Sequence, residues 1–357
     1  MAKKSTYSSW LAGVLFFLAA IAPLADAATP VGTTLFKSVS TSMPTSTSTP
    51  PKSSSNSKRI VQYCGSLYAP GSLAKVHAAE LVNSSRPIYV TNVLYGTWTL
   101  QGNKTMAISK NGSNIDPSLP SEAWAFDEMK TLQKAGVKVS MFMLSGWSQF
   151  INDTAFDSYY GVLRNTLRKY NFDGIDLDIE DNQDGNHHPI TLEPAVRLIK
   201  QLRKDFGPDF VITLAPISTA LVRGENLSHF SYKELEKRCG DDISWYNVQF
   251  YYESEELAST DSVDAVMKNG WKPERIVIGM DTTPDFPPFV ELPIVAKTLH
   301  KLAAKYPDIR GVDGFDYYDQ KPGGYPAPWE WPRWAARQMG WTNRTSVDDA
   351  RTMNIMG

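Results

Sequence analysis

The stretch Phe172-Asp173-Gly174-Ile175-Asp176-Leu177-Asp178-Ile179-Glu180 decides how this chain is read, because from Ile175 onward apolar and acidic residues alternate without a break. In an extended strand, residues two apart share a face. Asp176, Asp178 and Glu180 therefore point one way, and Ile175, Leu177 and Ile179 the other. In a closed barrel the apolar set packs on the surrounding helices and the acids face the barrel axis.

Three inward carboxylates are costly, since like charges repel and a buried charge loses its hydration. Neighbours on that face lie about 6.6 Å apart, which at an effective dielectric of roughly 20 gives about 2.5 kcal/mol, close to two pKa units. The row should then retain one proton near neutrality, as general-acid catalysis requires. Glu180 is the last residue before the loop 181–189, at the C-terminal mouth where barrel enzymes place their chemistry. A metal site or a solvated acidic turn are the competing readings. Ligands for a metal should converge from several elements, whereas the nearby His187 and His188 lie in a Gly/Asn-containing loop that reads as surface. No metal and no cofactor are expected.

Working outward, short β-branched and aromatic runs alternate with amphipathic stretches. Strands are predicted over 60–64, 88–95, 137–144, 172–180, 210–215, 244–251, 275–280 and 311–317. Helical patterns fall over 73–82, 123–135, 156–170, 192–206, 232–237, 263–269, 290–305 and 334–339. Strand then helix, eight times over, is the signature of a parallel sheet, and eight units close into a (β/α)8 TIM barrel. A doubly wound open sheet is the rival architecture. The barrel is expected over 60–340, with a tail at 341–357 and no second folded domain.

The N-terminus reads as a secretory signal: Lys3 and Lys4, an apolar run from Trp10 to Leu24, and small residues at Ala25 and Ala27, with cleavage expected after Ala27. That run is short for a membrane span and contains Pro23. Residues 28–59 are rich in Ser, Thr and Pro and read as a disordered linker. It ends at Lys58-Arg59, a plausible processing site that leaves Ile60 as the first residue. Six Asn-x-Ser/Thr sequons, at Asn83, Asn103, Asn111, Asn152, Asn226 and Asn343, fit a secreted, N-glycosylated protein, extracellular or in the cell wall. With a net charge of -2 and its basic residues dispersed, the chain lacks the concentrated field that nucleic acid requires. Cys64 and Cys239 are too few for a disulfide framework, and they fall near opposite ends of the barrel, so a bond between them is not expected. A monomer with no membrane contact after signal cleavage is expected.

The pattern D-G-x-D-x-D-x-E, Asp173 to Glu180, closely resembles the signature of glycoside hydrolase family 18, the chitinases and endo-β-N-acetylglucosaminidases. Lys138-Val139-Ser140 running to Ser145-Gly146, Thr213-Leu214-Ala215-Pro216 and Asn247-Val248-Gln249-Phe250-Tyr251 are similar to strands of its plant and fungal class III branch. The resemblance covers about 60–340 and implies a substrate-assisted retaining reaction, an exception to the two-carboxylate scheme. In it Glu180 is the acid, the substrate's own 2-acetamido group attacks, Asp178 orients that group, Asp176 holds or shares the proton, and Tyr251 hydrogen-bonds the acetamide oxygen. Gln249 and Tyr95 match positions that line the sugar site. The tryptophan that usually floors the catalytic sugar is replaced here; Phe315 takes its place, with Asp316 or Tyr317 as alternatives if the register slips. Phe offers a smaller stacking face. Trp98 and Trp147 follow strand ends and can either extend the cleft or pack. The implied substrate is β-1,4-linked N-acetylglucosamine in chitin or chitooligosaccharides, alternatively the chitobiose core of N-glycans; a third alternative is a lectin-like barrel that binds without cutting.

Overall fold

The computed structural model describes residues 57–83, 85–180, 190–224, 227–252, 256–284 and 289–341. The expected signal peptide, most of the linker, His187, His188, Asn226, Asn343 and all but Trp341 of the tail lie outside the described residues.

Eight strands form a closed parallel ring: β1 (Arg59–Cys64), β2 (Asn92–Leu100), β5 (Lys138–Ser145), β6 (Gly174–Leu177), β7 (Val211–Leu214), β8 (Trp245–Gln249), β9 (Ile276–Asp281) and β10 (Gly311–Phe315). They follow one another in chain order, and β1 pairs with both β2 and β10, so the sheet has no free edge there. That closure excludes the open-sheet rival. Seven of the expected helical patterns are matched by α-helices: α1 (Ala123–Lys134), α2 (Asp153–Lys169), α3 (Leu192–Phe206), α5 (Tyr232–Cys239), α6 (Asp261–Lys268), α7 (Leu292–Lys305) and α8 (Glu330–Gln338), with a short α4 (Ser218–Val222) between α3 and α5. The stretch 73–82, expected to be an α-helix, forms only a 3-10 turn over Ala78–Val82.

The helices follow local chemistry. In α2, Asn152 caps the N-terminus by accepting from the Thr154 amide at 2.9 Å, Asp153 lies in the first turn, and Arg168 and Lys169 in the last. Each arrangement favours the helix dipole. Phe156, Tyr160, Leu163 and Leu167, spaced at three and four, form its buried stripe.

An antiparallel hairpin, β3 (Met106–Lys110) and β4 (Ser113–Ile115), was not anticipated by the strand pattern. It pairs with the outer end of β2, which runs past the ring through an irregularity between Gly96 and Trp98. The dibasic pair also sits differently from the linker reading. Arg59 opens β1 opposite Gly311, and Lys58 donates to the carbonyl of Ile309 at 2.7 Å, so both residues belong to the folded barrel. The Arg59 backbone is tied into the sheet, and Lys58 is held through its side chain.

Two apolar clusters lie on the two faces of the ring. Ile175, Leu177 and Ile179 join the large outer core between sheet and helices, together with Val93, Val139, Met141, Ile212, Leu214, Tyr246, Val248, Ile276, Ile278 and Val312. A small inner cluster of Val61, Tyr63, Leu94, Phe142, Trp245 and Val277 fills the axis. The acidic face of β6 is thereby turned inward. Gly174, which precedes it, has no room for a side chain: a Cβ there would collide with the Val211 carbonyl and the Ser140 hydroxyl on the flanking strands. Cys64 and Cys239 are both free and buried.

Candidate active site

Asp176 lies at the heart of the ring, fully buried. Its carboxylate accepts from the Tyr63 hydroxyl at 3.0 Å, from Asn247 Nδ2 at 2.9 Å and from the Thr213 hydroxyl. Those donors come from β1, β8 and β7, so three strands are cross-linked through one side chain. Burial pushes the Asp176 pKa up to about 6, against the downward pull of the three hydrogen bonds.

One step toward the mouth, Asp178 is 6% exposed. Burial first, then the charges of Glu180, Asp176 and Asp313, hold its carboxyl well above the ordinary value. Glu180 follows on the same face, half-buried. Gln249 binds the two together. Its amide nitrogen reaches Glu180 Oε1 at 3.0 Å, Asp178 Oδ1 at 3.4 Å and the Ala215 carbonyl at 2.9 Å. Tyr251, two residues further on, stacks nearly parallel to Phe315 with ring centroids 6.1 Å apart. Burial, followed by Asp313, Asp178, Glu180 and Asp281, raises its hydroxyl pKa well above 10.0, so it remains a donor. Of the three residues weighed for the missing tryptophan, Phe315 touches the inner cluster and meets Tyr63 edge-on at 5.8 Å. Tyr317 is fully buried in the outer core, its hydroxyl donating to the His77 carbonyl. Asp316 accepts from the amides of Gly65 and Tyr317.

Tyr95, expected at the sugar site, is placed elsewhere, and of the two readings left open for Trp98 and Trp147 the structure shows packing. Tyr95 shares the outer parity of Val93, is 1% exposed and packs beneath the helices. Trp98 is equally buried, wedged against Phe126, Tyr170 and Phe172. Trp147 is a core side chain whose indole N–H is shared between the carbonyls of Leu144 and Asp178, each at 3.0 Å. It does not line a cleft; it pins the backbone of Asp178.

Sequence reading missed Tyr63, Thr213 and Asn247, which clamp Asp176, and Asp313, a buried carboxyl on the opposite wall. Asp313 occupies space that a side chain at position 279 would need: a Cβ on Gly279 would lie 3.0 Å from its Oδ1. Burial and the Asp176 charge push its pKa well upward. Period-two parity on β10 and β1 was the available signal for Asp313 and Tyr63. Among the described residues, no group of three or more His, Cys, Asp or Glu is arranged to hold a metal ion, and no helix is long and apolar enough to cross a membrane.

An inward row of three carboxyls, the inner one clamped, the middle one pushed up in pKa by burial and by its charged neighbours, and the outer one at the mouth, can deliver and retrieve a proton beside a hydroxyl donor. Comparison with known proteins gives this arrangement its family. The model for glycosyl hydrolases family 18 matches residues 59–287. The solved structure of a fungal endo-beta-N-acetylglucosaminidase of that family is similar at 30% identity and a TM-score of 0.70, covering 78% of this chain and 97% of that one. A chitinase, ChiC, from Aspergillus fumigatus is similar at 28% identity and a TM-score of 0.66, covering 79% and 99%. Endochitinase 4 of Metarhizium robertsii is 30% identical over 188 residues, 49% of each chain. The endo-beta-N-acetylglucosaminidase of a Flavobacterium species is 28% identical over 158 residues, 42% of this chain and 49% of that one. The chain spans about half the length or less of the curated relatives it matches. With a family model matched over most of its length and a carboxylate row set in a closed barrel, this chain belongs to the glycosyl hydrolases of family 18.

Proposed function

We propose that this chain is a secreted glycosidase that cleaves β-1,4-linked N-acetylglucosamine, in chitin or its oligosaccharides, with retention of configuration. The observation that carries this reading is the Gln249 amide bridging Glu180 and Asp178 above a clamped Asp176. Glu180 gives its proton to the glycosidic oxygen as the bond to the anomeric carbon breaks. The substrate's own acetamide oxygen forms the new bond to that carbon; the acetamide N–H donates to the Asp178 carboxyl, and the Tyr251 hydroxyl donates to the acetamide oxygen. Asp176 holds or shares the proton that the row retains. Water then attacks from the face that the leaving group vacated, the bond between the anomeric carbon and the acetamide oxygen breaks so that the acetamide is restored, the water's proton passes to Glu180, and the starting configuration returns.

A second substrate, the chitobiose core of N-glycans, has its own support. The fungal structure that this chain resembles over 97% of its length is an endo-beta-N-acetylglucosaminidase, and Phe315 offers the catalytic sugar a smaller floor than tryptophan. Incubating the purified chain in parallel with chitohexaose and with a high-mannose glycopeptide, and reading products by mass, decides between them. Shortened chitooligosaccharides support the first reading, and a glycopeptide cut between its two N-acetylglucosamines supports the second. Binding of chitohexaose without turnover of either compound leaves a lectin-like barrel.

A further inference from the structure

Asp281 ends β9 on the inward parity of Val277 and Gly279 and pairs in register with Phe315. The sheet carries this pairing one residue further, where the Thr282 amide donates to the Phe315 carbonyl at 2.8 Å. Asp281 is thereby held beside the aromatic that replaces the usual sugar floor. One of its oxygens, Oδ1, closes a local turn by accepting from the Thr283 amide at 2.8 Å. The other, Oδ2, is shielded from solvent and has no hydrogen-bond partner among the described residues. Phe315, its register partner, stacks on Tyr251, so Asp281 lies one strand position from that aromatic pair.

A carboxyl oxygen buried without a partner is costly, by about 1–3 kcal/mol, and a group that supplies the missing hydrogen bond recovers that cost. Sugar hydroxyls are suited to this, because each can donate and accept. The row from Asp176 to Glu180 makes no use of Asp281, and its turn-closing role occupies only Oδ1. We propose that Asp281 is a further substrate-binding residue, its Oδ2 taking a hydrogen bond from a hydroxyl of the pyranose that stacks on Phe315. This rests on the carbohydrate reading above. It adds a specificity contact on the side of the cleft opposite the acidic strand, which compensates for the smaller aromatic floor.

The test is made in the Glu180→Gln chain, so that the probe, chitotetraose, is not consumed. Affinity is measured by titration calorimetry for that parent and for Asp281→Ser and Asp281→Asn in the same background, with a melting curve for each. Ser closes the turn through its hydroxyl but withdraws from the sugar, so about tenfold weaker binding with an unchanged melting temperature is expected. Asn keeps the turn oxygen and places only a donor at the second position, and about threefold weaker binding is expected. Parent-like affinity in Asp281→Ser overturns the proposal. So does an affinity loss confined to Asp281→Ser and matched by a lower melting temperature, which is the mark of a turn residue. If the Ser chain does not fold, the Asn chain decides, and parent affinity in it overturns the assignment. Failure of the unmodified chain to hydrolyse either compound tested above, with Asp281-dependent binding intact, removes the enzymatic reading and leaves the binding contact standing.

Discussion

The side-chain amide of Gln249 donates to Glu180 at the mouth of the barrel while the same nitrogen is anchored to the carbonyl of Ala215, 2.9 Å away. Glu180 is therefore oriented by a neighbour whose own position is fixed by the backbone just past β7. Gln249→Leu is expected to keep the fold and to lower kcat/KM on chitohexaose roughly 10- to 100-fold, the scale of a lost orienting contact. Steady-state kinetics beside a melting curve check this.

Glu180→Gln keeps the size and the hydrogen bond of the side chain but cannot release a proton. Turnover should fall by at least about 10²-fold, the usual scale for a general acid. Retained turnover in that variant would remove Glu180 from its role.

Tyr63→Phe removes one of three donors to a fully buried carboxylate. An acceptor left without its partner costs about 1–3 kcal/mol, so urea unfolding should show a stability loss of that size. The lost hydrogen bond also raises the Asp176 pKa further, because it favoured the ionised form. The pH profile of kcat should shift to higher pH with it.

Stability itself should depend on pH in the neutral range. Burial raises Asp176 to about 6 and both Asp281 and Asp316 to about 7, from an ordinary value of 3.8. A carboxyl with a raised folded-state pKa contributes stability that is fully present below 3.8 and lost as pH rises through 6 to 7. The melting temperature is therefore expected to fall between pH 5 and pH 8. Below about pH 4 the trend reverses, since Glu122, Asp205 and Asp264, all lowered by hydrogen bonds, lose theirs on protonation. Scanning calorimetry across that range checks both limbs.

Four of the six sequons, Asn83, Asn103, Asn111 and Asn152, are described, and all four are exposed. In Asn103 and Asn152 the amide oxygen accepts from the Thr hydroxyl two residues on. Expressed through a eukaryotic secretory pathway, the chain is expected to carry glycans at these sites, read by peptide mapping after enzymatic release in heavy-oxygen water. An unglycosylated product retained inside the cell speaks against the secretory reading.

The row at Asp176, Asp178 and Glu180 could be seen in the chain because a strand converts spacing of two into a shared face, and only one of its faces is apolar. Eight repeats of strand and helix likewise imposed the parallel ring, since that alternation is local and countable. Tyr95 went astray for the opposite reason. Asn92-Val93-Leu94-Tyr95 is buried on both faces, so no alternation marked which side looks inward. Trp98 lies just past an irregularity in β2 that resets the parity. The Tyr63, Thr213 and Asn247 clamp on Asp176 joins residues 113, 37 and 71 positions away in the chain. Nothing in the local pattern links them. The sequence alone determined the periodicity of each element and the chemical type of the carboxylate row, because both are set within a few residues. Only the closed ring decided which donors hold that row, which aromatics face the cleft and which lie under the helices, because those contacts exist only once distant strands have been brought round to meet.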